Sequence, residues 1–148
     1  MLLAENPLNS SPLIFPTLEC FHIAGFIVAI GTTALVDFRL LDWGMRHQTP
    51  AQVAQDTAPW MLGGLLTAIF SGLGLYSSDP DMYYLNWSFL IKMACLVAAI
   101  VFNYTIHRKV VQAGASPGAA KLVALVSLAL WVSIIFGGIF IAFITGGL

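Results

Sequence analysis

Lys92 lies inside the apolar stretch from Asn86 to Lys109, which is long enough to cross a bilayer. A charged group at membrane depth costs at least about 2.5 kcal/mol on insertion scales, so an intramembrane lysine marks a functional site when another residue can partner it. Few residues can. Glu19 and His22 stand early in a second apolar stretch and Asp37 late in it, while Asn103 and His107 stand late in the lysine's own stretch. His22 precedes Asp37 by 15 residues, and Lys92 precedes His107 by 15. At 1.5 Å per residue the two members of each pair are about 22 Å apart along a helix. A step of 15 residues also returns to within roughly 60° of its starting direction. Two helices running the same way can therefore carry an outer layer of His22 and Lys92 and an inner layer of Asp37, Asn103 and His107, both turned toward a bundle interior.

A histidine among apolar helices is a ready axial ligand for haem iron. Lys92 could then serve as second ligand or meet a propionate, and Met93 is a further axial candidate. Gly25 and Ala29 offer room for a flat macrocycle, with Phe21, Phe26, Trp87, Phe89 and Trp131 as apolar walls. No two histidines share a layer, which counts against bis-histidine ligation. Copper is the competing cofactor, because Cys20, His22, Met82, Met93 and Cys95 all fall at the outer level and soft sulfur selects Cu(I).

Plainer roles stand beside these. Glu19 can pair with Lys92 or orient His22, as intramembrane charges commonly do. His107, followed by Arg108 and Lys109, reads by itself as a headgroup-level residue, and Asp37 reads as paired with Arg39 or His107. The chain has no Walker-type loop, Gly-x-Ser-x-Gly elbow or Cys-x-x-Cys, so hydrolase, nucleotide-driven and thioredoxin-like chemistries lack support.

The elements that must position these groups follow from composition. A chain of 148 residues that is 59% hydrophobic and 9% charged is an integral membrane protein, since soluble domains are about 25% charged. A net charge of −1 without a basic run argues against a nucleic-acid partner. The hydrophobic pattern predicts four spans, at about 17–41, 58–77, 83–109 and 119–145, in a single all-α domain. Residues 1–16, broken by three prolines and lacking basic residues, read as a surface segment rather than a cleavable signal. Residues 42–57 read as an interfacial loop, with the second span beginning near Pro59 and Trp60. Gly64, Ala68 and Gly72 recur every four positions and allow a close helix neighbour. Pro117 and Gly118 break the chain before the last span. Cys20 and Cys95 read as buried thiols. Five of the six basic residues fall in the first and third connections, so the positive-inside rule places both termini outside.

The runs Pro16 to Gly25 and Val36 to Leu41, Asn86 to Met93, Asn103 to His107, and Ser127 to Trp131 with Gly137 to Phe143 resemble an uncharacterised bacterial family of four-span membrane proteins. The chain is similar, more remotely, to the copper-resistance D family and the related membrane protoporphyrinogen oxidase family. In that oxidase family a first-span histidine and a third-span lysine are linked with haem b, and the resemblance carries this to His22 and Lys92. It departs at Gly138, where arginine is expected, and in lacking the oxidase's C-terminal signature.

The expectation is thus a four-helix transmembrane bundle of a bacterial inner membrane, binding haem b through His22 and Lys92 with Glu19 and Trp131 nearby. It would pass electrons to or from a quinone or a membrane partner, alone or as an oligomer. Copper or small-solute transport, and a cofactor-free structural subunit of a larger complex, are the other readings.

Overall fold

The computed structural model describes residue 8 and residues 10–143. These form α1 (Ile14–Leu40), α2 (Pro50–Ser78), a short α3 (Pro80–Tyr84), α4 (Trp87–Ala113) and α5 (Pro117–Ile141). All but α3 are long and apolar enough to cross a membrane. Half of the proposed surface segment at the start, and the end of the fourth expected span, lie outside the described residues.

The largest departure in boundaries is in α2, which begins at Pro50 and not near residue 58. Thr49 caps it: its hydroxyl accepts from Gln52 N at 3.2 Å, and the Gln52 side chain accepts from Thr49 N at 2.8 Å. This reciprocal box, with proline in the first turn, starts a helix where polarity alone suggested a loop. Pro59 lies inside that helix and removes the donor that the Gln55 carbonyl would otherwise meet. The connection before α2 is correspondingly short. It bends through left-handed backbone at Asp42 and Met45, and Arg39 holds it with a 2.6 Å bond to the Gln48 carbonyl and a 2.8 Å contact to Asp42.

The third span starts at Trp87 because Asn86 caps it, accepting from Ser88 N and donating to the Ile141 carbonyl of α5. Residues 80–84 make the separate α3 instead. Within α4, Asn103–His107 form a π turn. Gly114, with φ of 60°, ends α4 in the left-handed conformation that suits glycine.

Packing is by pairs. Helices α1 and α2 meet through backbone: a Cβ on Gly25 would lie 2.6 Å from Ala68 N, and one on Gly64 would lie 2.7 Å from Ala29 N. Small residues spaced by four on both helices permit this approach. The second pair is α4 with α5, and α1 also packs on α5. A core of Ala29, Met61, Leu65, Leu96, Ala99, Trp131 and Ile134 joins the pairs at mid-depth. Phe21, Ile27, Phe70, Val97, Val101, Leu125 and Phe136 are exposed, the distribution of a bundle whose outer face meets lipid. Cys20 belongs to that outer face, contrary to its reading as a buried thiol.

Candidate functional site

The two expected layers are both present, and each ties three helices together. At one end, His22 of α1 places Nδ1 2.8 Å from the Ala68 carbonyl and 3.3 Å from Ser71 Oγ, both on α2. A carbonyl only accepts, so Nδ1 carries the proton and Nε2 presents a lone pair. Lys92 Nζ of α4 donates to that Nε2 at 3.3 Å and lies 5.2 Å from the centre of the Phe26 ring. Missing side chains make the space: a Cβ on Gly72 would lie 2.8 Å from the His22 ring, one on Gly137 3.0 Å from Lys92 Cβ, and one on Gly138 3.4 Å from Lys92 Nζ.

Glu19 does not join this layer. It is exposed, and among the described residues the only ion pairs are Arg39–Asp42 and His107–Asp37. Its nearest electrostatic consequence is on Tyr83 of α3, whose phenol is pushed up from the ordinary tyrosine range by burial first, then by the carboxylates of Glu19 and Asp79. Trp131 is also not a wall of the His22 site; at 2% exposure it fills the middle of the core.

At the other end, Asp37 of α1 is wholly buried. His107 Nε2 of α4 donates to its Oδ1 at 2.8 Å, and Ser127 Oγ of α5 donates to its Oδ2 at 2.7 Å. His107 is 4% exposed, so it is not a headgroup-level residue as its basic neighbours suggested. His107 is the last residue of the π turn, and the 15-residue step from Lys92 already brings it to within roughly 60° of the lysine's side of the helix, toward the bundle interior. Arg39 is engaged with the loop, which leaves His107 as the aspartate's partner. The participation of Ser127 was not foreseen, because a serine in an apolar helix commonly bonds its own backbone.

A groove of about 420 Å³ opens beside this second layer, between α2 and the last turns of α4. Thr33, Ala58, Met61, Asn103, Tyr104 and His107 are among its lining residues. Asn103 lines the groove and is not among the hydrogen-bond partners of Asp37, so the inner layer is Asp37, His107 and Ser127. His107 has one ring nitrogen on Asp37, and among the described residues no sealed side-chain nitrogen or oxygen lacks a partner. Its Nδ1 is therefore not sealed, and the residue is among those lining the groove.

The expected haem does not fit between His22 and Lys92 in this arrangement. One feature suits a ligand, since a backbone carbonyl on Nδ1 is the usual way to aim Nε2 at a metal. Nε2 is aimed at Lys92 instead, across 3.3 Å, and glycine backbones close on both side chains. The room expected at Gly25 and Ala29 is taken by α2. The copper set is not gathered either: Cys20, Met82 and Met93 are exposed, and no group of three or more His, Cys, Asp or Glu able to hold a metal occurs among the described residues.

No curated protein and no solved structure matches this chain. Residues 14–144 match Family of unknown function (DUF6644), and the chain belongs to that family.

Proposed function

We propose that this membrane protein exchanges protons with a small partner carried in the bilayer, the part played by the membrane subunit of a redox process, with Asp37 and His107 as the protonatable centre. The observation that carries the reading is a fully buried aspartate bonded through both oxygens, whose imidazole partner opens onto a groove. Intramembrane Asp and His chains of this kind mark proton relays. A paired buried acid also keeps a proton shared between two groups, and a ligand on the far ring nitrogen can tip that sharing. The count of basic residues supports an orientation with both termini outside, which in the proposed bacterial inner membrane puts this centre toward the cytoplasm.

The test is infrared difference spectroscopy of the full chain in lipid nanodiscs as pH is varied. The wild type is expected to show a protonated-carboxyl band that shifts in heavy water and is missing in Asp37→Asn. An Asp37 carboxylate that keeps one protonation state at every pH where the protein stays folded overturns the reading.

A second reading keeps the His22 layer as a haem b site, favoured by the Nδ1 contact to the Ala68 carbonyl. It requires Lys92 to leave Nε2 and the helices that close on His22 and Lys92 at Gly72 and Gly137 to part. The visible spectrum of detergent-purified protein decides it: a Soret band lost in His22→Ala establishes haem, and a colourless protein grown with haem supplied dismisses it.

A further inference from the structure

We infer that the groove beside His107 holds the carbonyl-bearing ring of a lipid-soluble quinone, hydrogen-bonded to His107 Nδ1; the inference rests on the proton-exchange reading of the same centre and names its ligand. Three independent features lead there. The first is volume and setting. At about 420 Å³ the groove is within the range of small-ligand sites. Its lining residues Ala58, Met61 and Tyr104 belong to helices long and apolar enough to span the membrane, a setting that suits a lipid-soluble occupant.

The second is the polarity of the lining. Met61, Val36 and Ala58 make apolar walls, and the Tyr104 hydroxyl reaches across to Met61 Sδ at 3.8 Å. Asn103 and Gln55 place polar groups at the same site, while the Thr33 hydroxyl donates to the Ala29 carbonyl of its own helix. Gln55 is the residue whose carbonyl loses its helical donor to Pro59. A flat ring with oxygens at its edge and an apolar tail matches that division.

The third feature selects the ligand class. His107 is nearly sealed yet lines the groove, its Nε2 is taken by Asp37 so that Nδ1 is the nitrogen left for a ligand, and Asp37 can keep or release the proton on Nε2. The same nitrogen can therefore donate to a quinone carbonyl or accept from a quinol hydroxyl. A phosphate headgroup only accepts, and it would seek Arg108 at the groove's edge instead. Asn103 through His107 form a π turn beside the groove, and such turns frequently occur at functional sites.

The experiment titrates decylubiquinone into the full chain in phosphatidylcholine nanodiscs and follows binding by the shift in melting temperature and by crosslinking with an azido derivative of the same quinone. Wild type is expected to bind saturably and to be labelled within residues 51–58 or 103–112. Ala58→Phe, which fills the groove without touching the Asp37 pair, is expected to weaken binding about tenfold while melting as the wild type does without ligand. His107→Phe is expected to abolish binding, and Arg108→Gln to retain it. Binding that is unchanged in Ala58→Phe overturns the inference, as does the absence of binding beyond partition into empty nanodiscs. So does occupation of the groove by phosphatidylglycerol in an Arg108-dependent way that decylubiquinone does not displace. A carboxyl band that titrates without quinone binding sinks the ligand alone, whereas quinone binding with an unresponsive Asp37 sinks the proton-exchange reading.

Discussion

Asp37 and Lys92 are both ionisable side chains inside apolar helices, yet their surroundings give them opposite roles in stability. Asp37 is met on both oxygens, so removing one partner strands a buried charge. His107→Leu is expected to cost about 3–5 kcal/mol, read as a loss of chemical or thermal stability in micelles. Ser127→Ala removes one hydrogen bond from the same carboxylate and is expected to cost less, about 1–3 kcal/mol. Lys92 has no carboxylate within ion-pair distance among the described residues and is held by a ring nitrogen and an aromatic face. Lys92→Met therefore removes a cation that membrane insertion penalises by about 2.5–3.5 kcal/mol, and the variant is expected to melt higher than wild type. A lower melting temperature would show that the contact to His22 stabilises the bundle by more than the charge costs. Outside the spans, Tyr83 supplies a pH effect. Its folded ionisation lies above the unfolded value, so its contribution to stability is full below ordinary tyrosine ionisation and is lost as pH rises through the raised value. Tyr83→Phe is expected to flatten that alkaline loss in a melting series.

At the scale of elements, two local irregularities decide where the functional groups point. The Gly25 and Gly64 contact lets α1 and α2 touch, and that closeness is what brings the Ala68 carbonyl to His22. Gly64→Val must push the helices apart, and it is expected to destabilise the protein by about 1–3 kcal/mol. The π turn is the other irregularity. Deleting the exposed Thr105 removes its extra residue and lets α4 run on as a regular helix. The deletion is expected to leave helical content intact by circular dichroism while taking His107 off Asp37, seen as loss of the histidine's effect on the Asp37 carboxyl band. An unchanged band would mean that the neighbouring turn can supply the same geometry.

For the whole molecule, two helix pairs are linked by long polar side chains at both ends and by apolar packing between them. This design places the polar contacts where water is scarce and a misplaced group is expensive, so the pairs meet in one register. It also leaves a groove on one side at the Asp37 end. The proposed orientation, with both termini outside, rests on the basic connections; it predicts that an alkaline phosphatase fusion at the C-terminus is active while one in the α1–α2 connection is silent.

Much of this was legible in the residues alone. The apolar runs dictated four membrane helices, because a backbone in hydrocarbon must satisfy its own hydrogen bonds. Equal spacing put His22 level with Lys92 and Asp37 level with His107, because the rise of a helix is constant. What remained for the tertiary structure was direction and space. His107 was committed to Asp37 and not to the headgroups, Ser127 arrived from a fourth membrane helix, and Arg39 and Glu19 turned to other neighbours. The gap imagined beside Gly25 was filled by a helix, and the gap that exists lies at the opposite end. Depth is a property of one helix and can be counted, whereas a cavity depends on how closely several backbones approach.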